Sequence, residues 1–157
     1  MRSRQEQKAE SGARPFLAEG EDVLAVVIAA RRGYTQTAAG AATPVVAGLG
    51  AAQQGRAEAA AEQVGLRLES PMALVLTPQR LITFRIGTPI GLGIGGKVKD
   101  LLSAVPIGDV DSIKTRRLLL GYTITITVRG TSFKLEANAL AGAKRLVAAF
   151  DRAKATA

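Results

Sequence analysis

The chain contains no cysteine, no histidine and no tryptophan. Without cysteine there is neither a disulfide nor a thiolate nucleophile, and the redox compartment is left open. Without histidine there is no imidazole base, and nearly every zinc ligand set is gone as well. These absences argue for a non-enzymatic protein with no catalytic residue, metal or cofactor to name. Aromatic residues are also scarce: 4% of the chain, four Phe and two Tyr. That is too few to furnish the exposed stacking platforms on which readers of single-stranded nucleic acid depend.

What is present is apolar and basic. Hydrophobic residues make up 47% of the 157, a figure raised by alanine, beside 17 glycines, so a core must come mainly from Leu, Ile and Val. The length suits one domain with a sizeable core. Lys and Arg number 21 against 13 Asp and Glu, a net charge of +8. Such a balance favours anionic partners. With aromatics so few, an anionic membrane surface or a protein partner, a second copy of this chain included, ranks ahead of nucleic acid.

The stretch Pro71 to Ile86 reads as a hairpin, with Met72, Leu74 and Leu76 on one face of its first arm and Ile82, Phe84 and Ile86 on one face of its second. Pro78 and Gln79 supply the turn. A lone hairpin is unstable in water and requires more sheet or a helix over it. Upstream, residues 1–14 are polar and without periodicity, and are expected to form a disordered tail. The absence of an apolar signal core points to a cytoplasmic protein. Residues 15–154 then form the domain. Val23 to Ala30 is a continuous apolar run, expected as a well-buried first strand.

Residues 33–55 carry no charge and are rich in Ala and Gly. Small residues at helical spacing let helices approach closely in lipid, so this segment could anchor the protein or drive self-assembly. Against a spanning helix stand its weak apolarity and Pro44. Gln53 to Val64 is expected as an Ala-rich helix capped by Gly65. Further on, Leu101, Ser103 and Val105 alternate as a strand ended by Pro106, and a short strand ends before Arg116-Arg117. In Tyr122 to Arg129 the apolar residues Tyr122, Ile124, Ile126 and Val128 alternate with threonines, the pattern of a strand with one wet face. Ser132 to Glu136 pairs back on it. The last element is a helix with Asn138 as N-cap and a stripe of Leu140, Ala143, Val147 and Phe150, of which Leu140, Val147 and Phe150 are expected to plug an open end of the sheet.

Taken in order, Gly20-Glu21-Asp22-Val23-Leu24, Leu76-Thr77-Pro78-Gln79-Arg80-Leu81, Pro106-Ile107-Gly108-Asp109-Val110, the hairpin Tyr122 to Glu136 and the helix Ala139 to Phe150 resemble the bacterial PH-like (GRAM-like) domains. The resemblance implies a mainly β fold: a bent β-sandwich or barrel of about seven antiparallel strands, capped by one amphipathic C-terminal helix. Residues 34–66 are then an Ala/Gly-rich, partly helical insertion between the first two strands. It also implies a binding module for lipid headgroups, peripheral at the inner face of the membrane, or for protein.

Three constellations bear on chemistry. Arg31-Arg32 and Arg116-Arg117 are the densest basic pairs, and if brought together their guanidiniums would hold a phosphate or carboxylate. Solvated strand ends, paired with acids such as Asp100, Asp109, Asp111 or Glu136, are the ordinary explanation. Ile90, Leu92 and Ile94 beside Lys97 and Lys99 make an apolar loop tip with a basic rim, suited to touching a membrane. Gly91 to Lys97 has the G-x-x-x-x-G-K spacing of a phosphate-binding loop. However, Val98 stands where Ser or Thr should reach magnesium, and no helix is expected to follow.

Overall fold

The computed structural model describes residues 4–31, 44–87, 97–119, 121–138 and 142–156. Among them, seven strands form one antiparallel sheet: β1 (Ala25–Arg31), β2 (Met72–Leu76), β3 (Arg80–Ile86), β4 (Val98–Pro106), β5 (Val110–Leu118), β6 (Gly121–Val128) and β7 (Thr131–Asn138). Their order is β4-β3-β2-β1-β7-β6-β5. Three helices accompany them: α1 (Arg4–Ala13), α2 (Pro44–Gln63) and α3 (Ala143–Thr156). The fold is mainly β, seven antiparallel strands with a C-terminal helix, an arrangement consistent with the expected PH-like sandwich, and helix α2 is inserted between β1 and β2. The sheet does not close into a barrel, since β4 and β5 remain its two edges.

The bend lies in β1. Its first part pairs with β2 from Ala25–Leu76 to Ala29–Met72, and only Ala30 and Arg31 pair with β7, opposite Glu136 and Leu135. One strand thus serves both halves. The residues turned into the fold, among them Val27, Met72, Leu74, Leu81, Ile113, Ile124, Ile126 and Leu135, make the main core. Helix α3 packs on β5, β1 and β2, inserting Leu146, Ala149 and Phe150. Phe150 docks as expected and Val147 is only partly buried, while Leu146, fully buried, takes the place foreseen for the stripe. Leu140 lies outside the described residues. Asn138 is the last residue of β7, opposite Gly121, rather than a helix cap. Gly142, just before α3, has a φ of +80° that favours glycine.

Helix α2 begins at Pro44, where a missing N–H costs nothing, and runs further than the expected Gln53 to Val64. It ends in a Schellman motif: Leu66 N–H donates to Ala61 O, Gly65 N–H donates to Glu62 O, and Gly65 has φ +84°. Ala57, Ala61, Val64 and Leu66 fasten it to the core. No described helix is long and apolar enough to cross a membrane, and α2 itself carries Arg56, Glu58 and Glu62. The anchoring segment 33–55 is therefore in part a docked helix, and residues 33–43 lie outside the described ones.

Helix α1 corrects the expectation of a disordered tail. It lies on β1 and β4, over the sheet face opposite the main core. There Ala9 and Ala13 join Val26, Val75, Ile82, Phe84, Ile86 and Val98 in a second cluster. Close approach requires small residues: a Cβ on Gly12 would stand 2.9 Å from that of Val98. Glu6, 1% exposed, forms an ion pair with Arg145 of α3, and a Cβ on Gly142 would collide with its carboxylate. The polar sequence hid this helix because its contact stripe is alanine and glycine, not leucine.

Candidate functional site

The residues of the sequence resemblance first explain the scaffold. Glu21, 5% exposed, accepts from Arg80 Nε at 2.9 Å and Nη2 at 3.0 Å, from the Thr77 hydroxyl at 2.7 Å and from the Ala18 N–H at 2.8 Å. The Arg80 guanidinium holds its carboxyl at a pKa of about 2, against the opposing effect of burial. Thr77 Oγ1 also receives the N–H groups of Gln79 and Arg80, which sets the β2–β3 turn. The Gly-Glu and Leu-Thr-x-x-Arg-Leu motifs are thus two ends of one buried ion pair with a structural task.

The expected anion-binding residues are spread over the fold. Arg31 is committed: its guanidinium binds Glu58 of α2 and the Ser70 hydroxyl. These groups line a cleft of about 360 Å³ with Arg67 and Glu69, so its charge is mixed. Register places Arg31 in the cross-strand row Arg31, Leu135, Ile124, Thr115, whereas Arg116 belongs to the adjacent row and the opposite face. Arg31 and Arg116 therefore do not converge. Arg117 lies over the Tyr122 ring, 5.9 Å from its centroid. Both Arg116 and Arg117 lie within β5, which is longer than expected.

Lys97 and Lys99 stand at the start of β4, on the opposite edge strand. Lys99 is the unpaired residue of a bulge, between the pairs Arg85–Asp100 and Ile86–Val98, a device that also protects a sheet edge. Arg32, Ile90, Leu92 and Ile94 lie outside the described residues. Strand, not helix, follows Lys97, so the context of a phosphate-binding loop is missing. Among the described residues no group of three or more acidic side chains is placed to hold a metal.

What the sheet does assemble is a face that sequence inspection missed. Lys114 pairs with Thr125 and Thr125 with Lys134, and beside them Arg116 pairs with Thr123 and Thr123 with Glu136. Directly paired residues share a face, so Lys114, Arg116 and Lys134 project together among Thr123, Thr125 and Thr127, with the acidic Glu136 beside Thr123. All three cations are exposed. None has an ion pair among the described residues. The alternating threonines of β6 were the signal for this wet face. Its cations become visible only once β5 and β7 are set in register.

Beside Lys134 a cleft of about 390 Å³ opens between α2 and β7, lined by Gln53, Arg56, Ala57, Ser132, Phe133 and Lys134. Gln53 Oε1 is buried, with no hydrogen-bond partner among the described residues. No family model matches the chain, and no similar protein was found among the curated ones.

Proposed function

We propose that this protein is a non-enzymatic binding module of the PH-like kind that docks on anionic membrane surfaces through the outer face of β5, β6 and β7. The observation that carries the reading is the grouping of Lys114, Arg116 and Lys134 on one hydroxyl-rich sheet face. Strands are about 4.8 Å apart, so the patch spans roughly 10 Å, and each cation near an anionic leaflet contributes about 1 kcal/mol. Three of them make a weak, salt-sensitive attachment. A face of threonines, three cations and one acid, Glu136, lacks the large apolar anchors of a protein interface. The rings that nucleic acid would stack on are buried at Tyr122 and Phe133. The lack of His and Cys supports the non-enzymatic reading.

Co-sedimentation of the full chain with phosphatidylserine-containing vesicles tests it. Binding is expected at low salt and should fall steeply towards physiological salt, where the Debye length is about 8 Å. The double variant Lys114→Glu, Arg116→Glu should weaken it by at least about tenfold, while Arg117→Glu, on the opposite face, changes it far less. Absence of binding at low salt, or equal binding by the double variant, overturns the proposal and turns attention to a protein partner.

A further inference from the structure

Among the described residues three large apolar side chains are exposed, and they are not equal. Phe16 is 38% exposed and Leu49 60%, whereas Leu119 is 96% exposed. A single surface leucine is ordinary. The place of this one is not. Leu118 pairs with Gly121, so Leu119 stands in the turn that joins β5 to β6. Such turns are ordinarily filled by glycine or by polar residues. A leucine exposed to this degree gains the fold little burial, and a local rule broken without such a gain is expected at a functional position. Its neighbours are cationic. Arg116 lies on the same strand roughly 10 Å away, at about 3.4 Å per residue, and Lys114 follows on the same face. Arg117 is turned to the other face, over the Tyr122 ring.

We infer that Leu119 is an apolar anchor that enters an anionic bilayer at the boundary between headgroups and acyl chains, beside the cations of the basic face. The inference rests on the membrane reading above and adds to it a contact of another kind. A bilayer fits better than a protein partner for reasons of size and charge. A stable protein interface buries about 800 Å² on each side around large central anchors, and one protruding leucine supplies little of that. A bilayer requires no matching pocket. An apolar side chain next to cations is the combination that inserts at an anionic surface. The attachment then has two parts, a charge contact that fades with salt and an apolar contact that does not.

The chain has no tryptophan, so Leu119→Trp installs a lone reporter in the turn. Its emission should move to the blue when phosphatidylserine-containing vesicles are added, and brominated acyl chains should quench it. Leu119→Ser, at an exposed position, should leave the thermal midpoint nearly unchanged. It should weaken vesicle binding about tenfold, the effect of withdrawing much of one leucine side chain from an apolar phase.

Emission that stays put on vesicles the chain does bind, or equal binding by Leu119→Ser, overturns the inference and leaves the basic face standing. Insertion of Leu119→Trp that survives Lys114→Glu with Arg116→Glu removes the basic face and keeps the anchor. A blue shift that appears without vesicles and grows with protein concentration shows a second copy covering Leu119, and overturns the inference too. If no vesicle binds at low salt, both readings fall.

Discussion

Strands β2 and β6 are both internal to the same antiparallel sheet, yet they occupy different surroundings. Every residue of β2, Met72–Leu76, is buried, whereas in β6 Thr125 and Thr127 remain partly exposed between buried Ile124, Ile126 and Val128. The half of the sheet from β1 to β4 is covered twice, by the main core on one face and by α1 on the other. On the half from β5 to β7 the described residues cover one face, and Lys114, Thr125 and Lys134 on the other are exposed or partly so. A continuous apolar run therefore marks a strand with two dry faces and strict alternation marks one with a wet face. The doubly covered half carries the buried carboxylates of Glu21 and Glu6 with their arginine partners, and on the other half Lys114, Arg116 and Lys134 stand exposed.

The sharpest way to break this contrast is Phe84→Ala. Phe84 is fully buried beneath α1 and meets Phe16 edge-on, with ring centroids 5.6 Å apart. Removing it should cost about 3–5 kcal/mol in chemical denaturation. A loss below about 1 kcal/mol would mean that α1 does not seal that face. The next effect is acid sensitivity. Glu21 is held at about pKa 2 in the fold against an ordinary value of 4.5. Because the folded pKa is depressed, its contribution is fully present above pH 4.5 and is lost as pH falls towards 2. That window should account for roughly 3 kcal/mol. Glu21→Gln should flatten the pH dependence of stability between these limits, and an unchanged slope would show that other carboxylates cause it. Smallest is Thr125→Ala on the open face, expected to shift stability by no more than about 0.5 kcal/mol. A large loss there would reveal a cover over β5 to β7.

Much of the scaffold could be read from short-range pattern. The β2–β3 hairpin, the alternation of Tyr122 to Val128, the cap at Gly65 and the docking of Phe150 all follow from residue types a few positions apart. The candidate site was far less legible. Arg31 looked available in the sequence, but Glu58, reached through α2, occupies it. Lys114 and Lys134 looked like scattered charges, because their kinship depends on pairing through Thr125. Arg129 shows the same dependence on distant partners. At φ +46° it turns the β6–β7 hairpin with Gly130, and its guanidinium reaches Asp109 and the carbonyl of Val64.

Periodicity and turn chemistry sufficed for the strands, the C-terminal helix and the basic character, since each is set by neighbours within one turn or one hairpin. Packing between distant segments decided the rest. Helix α1 is stable where it lies because Gly12 admits Val98 and Arg145 neutralises Glu6, more than a hundred positions away in the chain. The cleft beside Gln53 is walled by α2 on one side and β7 on the other, elements more than sixty residues apart in the chain. A side chain's burial and its partners are properties of the space around it, and that space is made by residues remote in sequence.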